Sequence, residues 1–441
     1  MKGANLEAER VEASLRGWPQ APFLTKRETD ANYKRMLAEA FRPENLAAAR
    51  VGIASHNLFD LALGLVLAED AGPAAADRVQ FEMLEGMANS QRRALFAHSP
   101  RLLLYAPACR REEFLNAIGY LLRRLDENTG PENFLRHAFR LAPDSDDWRL
   151  LERGFRDAFS ISLPDSPRRT QNRLTERFDE PLPERPWNEF VNEPDTDFSL
   201  VANSSWAEKL VANPDEPWRP AVIPIVLGTD EIGEWLVEKP ADALVQATRR
   251  HAEARDLRLR PCLDPSRPGA VLAHYVEAGL SEVRQSLAAA RADTAGWRSR
   301  SRASRSETLG RVAQELRRAR GTLLRAALAN GGKTLVEGDP EVSEAIDFCE
   351  FYRATAQTFD EIPGVNATGR GVVVVVPPWN FPIAIPCGGI AAALAAGNSV
   401  ILKPASDTVL VAWELCRCFW RAGVPTSALQ FVPCPGGGAG T

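Results

Sequence analysis

The most regular hydrophobic pattern lies near the end of the chain. Val372–Val376 are five consecutive valines bounded by Gly371 and by Pro377-Pro378. A β-branched run of this kind predicts a strand buried on both faces. The alanine-rich stretch Ile390–Ala396 predicts a helix, which Gly397-Asn398 ends. Ser399–Leu402 predicts a second apolar strand, running straight into Lys403-Pro404-Ala405-Ser406. Thr408–Arg421 has the spacing of an amphipathic helix. Gly423-Val424-Pro425 breaks it, and Leu429–Val432 predicts a third strand. Strand, helix, strand, helix, strand implies parallel strands joined by crossover helices. In such sheets ligands bind beyond the carboxyl ends of the strands, where Asn380 and Lys403 stand.

The front of the chain has a shorter rhythm. Asn32–Ala40 and Leu46–Arg50 read as helical, Val51–Ala54 as a strand and Asn57–Glu69 as a long helix. Arg78–Met83 contains a strand, Asn89–Phe96 a helix, Arg101–Tyr105 a strand and Glu112–Leu125 an amphipathic helix. Strand–helix units with polar residues at the strand ends suggest a (β/α) barrel, whose site lies at its C-terminal face; about four units are legible, half of a barrel. Leu141–Trp218 carries a helix over Asp147–Phe159 and then Pro164, Pro167, Pro181, Pro183, Pro186 and Pro194, the composition of a linker. Ala221–Leu227 predicts a strand, and Ser281–Asp293, Ser304–Ala329 and Pro340–Thr358 predict helices. The expected organisation is a barrel portion over 1–140, a linker over 141–220 and an α/β domain over 221–441.

Composition narrows the class. The 441 residues are 45% hydrophobic and 25% charged, an ordinary globular balance that suits two or three domains. A net charge of −5, with Arg and Lys scattered, points to no nucleic-acid partner. No apolar run approaches a membrane span and no signal peptide opens the chain. Seven cysteines without a CxxC pair suit reduced thiols in the cytoplasm. Five dispersed histidines without HExxH predict no metal site. Both ends are abrupt: Lys2-Gly3-Ala4 reads as the end of a strand without its beginning, and Gly436–Thr441 as a loop leading onward. The expectation is a fragment of a longer protein.

Two strand-end residues suggest chemistry. An Asn amide fixed after a strand can donate to a developing oxyanion, and a Lys after the next strand can hold a ribose or phosphate. Either alone reads more readily as a polar terminus in water. The order Pro-Trp-Asn-Phe-Pro (378–382), Ala-rich helix with Gly397-Asn398, then Leu402-Lys403-Pro404-Ala405-Ser406 resembles the cofactor domain of the aldehyde dehydrogenase superfamily, from roughly Val222 to Thr441. The resemblance implies a Rossmann-like parallel sheet that binds NAD. It implies that Asn380 stabilises a thiohemiacetal oxyanion, that Lys403 and Ser406 flank the adenosine ribose, and that Pro378 and Trp379 touch the cofactor. Asp264-Pro265-Ser266-Arg267-Pro268 resembles the family's Asn-Pro turn before a hairpin, and Ala329–Thr334 its Glu-x-Gly-Lys-Thr loop with Asn330 in place of the acid. Gly332-Lys333-Thr334 is no P-loop, because the upstream glycine is absent and no strand precedes it. Cys387, at the start of a packed helix, reads as structural; the family's nucleophile comes from a later domain, beyond Thr441.

The first region carries a second ordered set. Lys2-Gly3-Ala4, Thr29-Asp30-x-x-Tyr33, Ser55-His56-Asn57, Leu84-x-Gly86-Met87, Tyr105-Ala106-Pro107 and Arg123-Arg124-Leu125-x-Glu127-Asn128 resemble the FAD-binding barrel of the proline dehydrogenase family from about its fifth strand onward. Arg presents a planar fork that binds carboxylate bidentately, and by the resemblance Arg123 and Arg124 grip the proline carboxylate. By the resemblance Tyr105 and Leu84 line the substrate. The same resemblance implies that Lys26, His56 and Asn57 contact the flavin, and that Glu127 and Phe134 lie near its adenosine end. Asn5-Leu6 departs from the Tyr-Trp of many members. Asn192–Phe198 resembles the connecting segment of fused proline-catabolic enzymes. Together the resemblances imply a bifunctional FAD- and NAD-dependent oxidoreductase of the proline utilization A type, taking proline and glutamate semialdehyde. They also imply a homo-oligomer and peripheral membrane contact through quinone reduction, with the fragment itself inactive. The alternatives are an aldehyde dehydrogenase of another substrate class with a non-catalytic N-terminal region, and a non-catalytic fragment or assembly subunit.

Overall fold

The computed structural model divides the chain into two units, Met1–Arg169 and Thr170–Thr441. The structure describes residues 6–20, 23, 25–99, 101–131, 133–163, 169–212, 218, 221–228, 241–359 and 361–436, without the side chains of 6–8, 74, 76, 123–127, 241 and 242. Lys2-Gly3-Ala4, Asn5 and Gly437–Thr441 therefore lie outside the described residues, as do the side chains of Arg123, Arg124 and Glu127.

The first unit is built on three short parallel strands, β1 (Val51–Ala54), β2 (Val79–Leu84) and β3 (Leu102–Tyr105), in that spatial order. Around them come helices α1 (Leu6–Arg16), α2 (Lys26–Ala40), α3 (Pro43–Ala48), α4 (Leu58–Asp70), α5 (Pro73–Ala76), α6 (Asn89–His98), α7 (Phe114–Glu127), α8 (Phe134–Ala138) and α9 (Asp146–Asp157). Ile53, Phe81 and Met83 alternate onto one core with Leu37, Leu61 and Leu95, the period of two that a sheet requires. Helix starts follow from local chemistry: Thr25 and Glu28 form a capping box on α2, and Ser145 caps α9. Lys34 and Asp60 pair at 3.0 Å with side chains 3% and 8% exposed, tying α2 to α4. The Lys34 ammonium also lies 4.8 Å from the Phe155 ring centroid on α9.

The second unit contains α10 (Val201–Val211), α11 (Ala241–Ala254), α12 (Leu280–Ala292), α13 (Arg302–Arg318), α14 (Arg320–Gly331), α15 (Leu335–Thr358), α16 (Ala384–Ala395) and α17 (Val409–Arg421). Its strands are β4 (Val222–Ile223), β5 (Arg258–Leu263), β6 (Val271–Glu277), β7 (Val372–Val375), β8 (Ser399–Leu402) and β9 (Leu429–Phe431). β7-β8-β9 is parallel throughout. β5 and β6 form an antiparallel hairpin, with the turn at Asp264-Pro265 between them, and β4 runs parallel to β6. Val226 exchanges hydrogen bonds with Phe431 at 2.9 and 3.0 Å, joining the two sheets. The core holds Trp297, Leu309, Leu316, Ile346, Ile390, Trp413 and Phe431, each fully or almost fully buried. Gly397 ends α16 at φ +81, and Asn398 secures that end: its Nδ2 donates to the Ala393 carbonyl at 3.1 Å and its Oδ1 accepts from the Gly371 amide at 3.0 Å.

Three expectations need correction here. The valine run is not buried on both faces: Val374 and Val376 are 56% and 57% exposed. β7 is an edge strand among the described residues, whereas β8 lies between two strands and is buried at every position. The helix expected over Ser304–Ala329 breaks at Ala319 (φ −87, ψ 2), beyond which Arg320 turns inward onto Asp339 at 2.9 Å. α15 starts a turn before Pro340, because Thr334 and Glu337 form a capping box at its N-terminus.

Where three segments were expected, residues 141–169 fall in the first unit and 170–220 in the second. The proline-rich stretch is strapped onto α13–α15 by charge. Thr196 donates to Asp339 through its amide and hydroxyl, both at 2.6 Å. Glu193 accepts from Arg317 at 2.9 Å and lies 3.5 Å from Arg320. Asp347 receives Asn192 Nδ2 at 2.8 Å and the Glu193 amide at 2.7 Å.

Candidate functional site

In the second unit the register sets the site. Val375 pairs with Leu402 and Leu402 with Phe431, so all three strands end on one edge. Asn380, Lys403 and Ser406 follow those ends. Pro378, Trp379 and Asn380 are exposed, and among the described residues nothing hydrogen-bonds the Asn380 side-chain amide. Its peptide is held instead. Lys333 Nζ donates to the Asn380 carbonyl at 3.0 Å, pairs with Glu341, and sits 4.4 Å from the Phe381 ring centroid. The other Glu341 oxygen accepts the Ile383 and Ala384 amides at 3.1 and 3.3 Å, an acidic cap on the positive end of α16.

Lys403 is half-buried, its backbone amide fixed to the Val375 carbonyl at 3.0 Å. Among the described residues its ammonium has no hydrogen-bond partner. Its charge is felt at Cys434: burial raises that thiol's pKa and the lysine charge draws it back. Ser406 is exposed in a short 3-10 turn, beside the phenol of Tyr275, whose pKa burial raises.

In the first unit the strand ends also converge. His56 Nε2 accepts the Leu84 amide at 3.0 Å. The amides of Phe81 and Glu85 go to β3, at Arg101 and Tyr105. Alternation along a parallel strand then turns the Leu84 amide toward β1, so the imidazole takes the ladder position that the departing strand vacates. Burial lowers the His56 pKa; the neutral ring keeps its Nδ1–H without a partner among the described residues. Asn57 caps α4, its Oδ1 accepting from Phe59 at 3.0 Å. Lys26 Nζ is paired with Asp30 at 2.7 Å. Tyr105 is 53% exposed, its ring 6.2 Å from that of Tyr120. Leu84 is half-buried, and Phe134 is 5% exposed inside the core. Arg123, Arg124 and Glu127 lie in the backbone of α7.

Sequence reasoning missed two partners of the Asn380 loop. Lys333 was visible as the Lys of Gly332-Lys333-Thr334, and nothing near it in sequence signals Glu341. Asn330 also has a definite use: its Nδ2 donates to the Leu263 carbonyl at 3.0 Å and its Oδ1 accepts the Leu410 amide at 3.1 Å. An ionised carboxylate, which only accepts, could not make both bonds. Cys387 is fully buried, its Sγ 3.8 Å from Cys349 and 3.4 Å from the Ala345 carbonyl. Burial holds its pKa well above the usual thiol value, so it is packing and no nucleophile.

Residues 1–137 match the proline dehydrogenase family and residues 251–441 the aldehyde dehydrogenase family. The chain is 36% identical over 175 residues to the bifunctional protein PutA of Klebsiella aerogenes, across 40% of this chain and 13% of that protein. It is 33% identical over 181 residues to a 1-pyrroline-5-carboxylate dehydrogenase of Staphylococcus haemolyticus (strain JCSC1435), across 39% of this chain and 35% of that one. The crystal structure of proline utilization A from Bdellovibrio bacteriovorus inactivated by N-propargylglycine aligns with 100% of this chain and 42% of its own length, at a TM-score of 0.75 and 27% identity. The chain thus spans less than half the length of these relatives. No helix of the described residues is long and apolar enough to cross a membrane.

Proposed function

We propose, from a chain that carries a proline dehydrogenase region followed by an aldehyde dehydrogenase region, as PutA proteins do, that its protein oxidises proline to glutamate in two steps. The first gives Δ1-pyrroline-5-carboxylate, which opens by hydrolysis to glutamate γ-semialdehyde; the second oxidises that aldehyde. The observation that carries this reading is the presence of both family regions, in that order, in one polypeptide.

In the first region the three strands and their helices are read as part of a (β/α)8 barrel. FAD, when bound, supplies the two-electron acceptor for the amine. The residues present suit it: His56 offers Nδ1–H, and Asn57 offers Nδ2, since its Oδ1 is occupied by the helix cap. Lys26 is neutralised by Asp30. Arg123 and Arg124 would hold the proline carboxylate against Leu84 and Tyr105, with Glu127 and Phe134 toward the adenosine end. Residues 141–220 are read as the linker between the two catalytic regions.

In the second region NAD, when bound, supplies the hydride acceptor. Lys403 and Ser406 would hold its ribose, with Pro378 and Trp379 beside it; the unpaired Lys403 ammonium suits that use. Asn380 would donate its free amide to the oxygen that becomes negative as a thiol adds to the aldehyde. The setting is cytoplasmic, with a homo-oligomer and peripheral membrane contact through quinone reduction.

The two strand-end residues should separate kinetically. In the protein's longest native form, Asn380→Ala should lower aldehyde kcat by about 10²–10³, with the KM for NAD nearly unchanged. Lys403→Ala should raise the NAD KM by roughly tenfold, one hydrogen bond's worth, with little change in kcat. Both values are normalised to folded protein. If Asn380→Ala keeps its kcat, the oxyanion role is wrong.

A further inference from the structure

We infer that Lys333 and Glu341 are positioning residues for Asn380, an assignment that rests on the reading just given. An oxyanion donor works by standing in place before charge develops. Its side chain must be free to bind the reacting oxygen, so only its backbone can be fixed by the protein. Asn380 meets that condition: no described residue bonds its side-chain amide, while its carbonyl accepts Lys333 Nζ at 3.0 Å.

The clamp is anchored well away from the loop it holds. Gly332 closes α14 in the left-handed region at φ +65, and the Lys333 amide bonds back to the Ala327 carbonyl at 3.2 Å. Thr334 immediately begins α15 with its capping box. Lys333 is therefore fixed on both sides, between two helices. Its ammonium meets Glu341, which is only 3% exposed, and stacks on Phe381. Glu341 in turn grips the Ile383 and Ala384 amides. One ion pair thus holds the β7–α16 loop at two points, one on Asn380 and one just beyond Pro382. A loop held only by its strand and helix ends would leave the Asn380 peptide free to rotate.

The consequence is a role in the transition state more than in cofactor binding. Lys333→Met should lower aldehyde kcat by about 10²-fold, the scale of a misplaced catalytic group, with the NAD KM within about twofold. Lys333→Arg, which can still donate to both oxygens, should recover most of the rate. Because Lys333→Met strands a buried carboxylate, the paired change Lys333→Met/Glu341→Gln is measured beside it. The pair should fold as wild type and remain slow. Amide exchange at Ile383 and Ala384 should be faster than wild type in Glu341→Ala. An active wild type whose Lys333→Met and paired variants keep full kcat, or lose NAD affinity as Lys403→Ala does, overturns the positioning role alone. A longest native form of the protein that oxidises no aldehyde overturns that role and the proposed function together.

Discussion

Both units hold three parallel strands, yet they bury them differently. In the second, β8 is buried at all four positions, and the helices around it carry residues at 0% exposure such as Trp413 and Leu316. In the first, β2 alternates, while β3 leaves Leu103 and Leu104 49% and 39% exposed; Leu115 on α7 reaches 80% and Phe139 91%. Less apolar surface leaves water per ordered residue, so the first unit has less of the term that opposes chain entropy. Charge follows the same division. Among the described residues the first unit buries one ion pair, Lys34–Asp60. The second buries a network in which Arg317 meets Glu193 and Glu350, and Arg320 meets Asp339 and Glu193. The difference teaches where the proline-rich stretch belongs energetically: its Glu193 and Thr196 complete that network, so it stabilises the second unit.

The largest break in this comparison should come from Arg320→Met. It leaves the buried Asp339 with Thr196 but without its cation, and takes one of two arginines from Glu193, a loss of about 3–5 kcal/mol. Denaturant unfolding followed by pulse-labelled exchange should show the loss in the second unit only. Equal destabilisation of the Lys34–Asp60 region would contradict the division.

A smaller effect comes from Asp347, whose pKa burial pushes up to about 6. The folded state keeps that proton at pH values where the unfolded chain, near its ordinary 3.8, has lost it. The stability it contributes is therefore present at low pH and lost as pH rises through about 6. Wild type minus Asp347→Asn should show this fall between about pH 4 and 7, in the second unit's transition. A difference that is flat with pH would refute it.

Much of this was legible in the sequence, for physical reasons. The strand and helix order of Val372–Phe431 follows from β-branched runs and glycine stops, and strand order places Asn380 and Lys403 on one edge. What composition cannot carry is the neighbour. Five valines look alike in a central strand and an edge strand, so the exposure of Val374 was invisible. The break at Ala319 and the early start of α15 depend on the Arg320–Asp339 contact and the Thr334 cap. Thr196 and Asp339 lie 143 residues apart, and Lys333 and Asn380 lie 47 apart; no local pattern joins them. His56 was legible as a strand-end polar residue, but not as the acceptor that completes a β ladder.

The central claim is that one chain contributes to two oxidations with separate residues. It is tested most directly by measuring both half-reactions in two variants of the protein's longest native form: proline-dependent reduction of an artificial electron acceptor, and NADH formation from glutamate γ-semialdehyde. Arg124→Met should weaken proline binding by about 1.5–3 kcal/mol, the range for a hydrogen bond to a charged group, with NADH formation intact. Asn380→Ala should stop NADH formation with proline oxidation intact. If each variant changes both rates equally, or neither changes its own, the assignment of the two oxidations to these two regions is wrong.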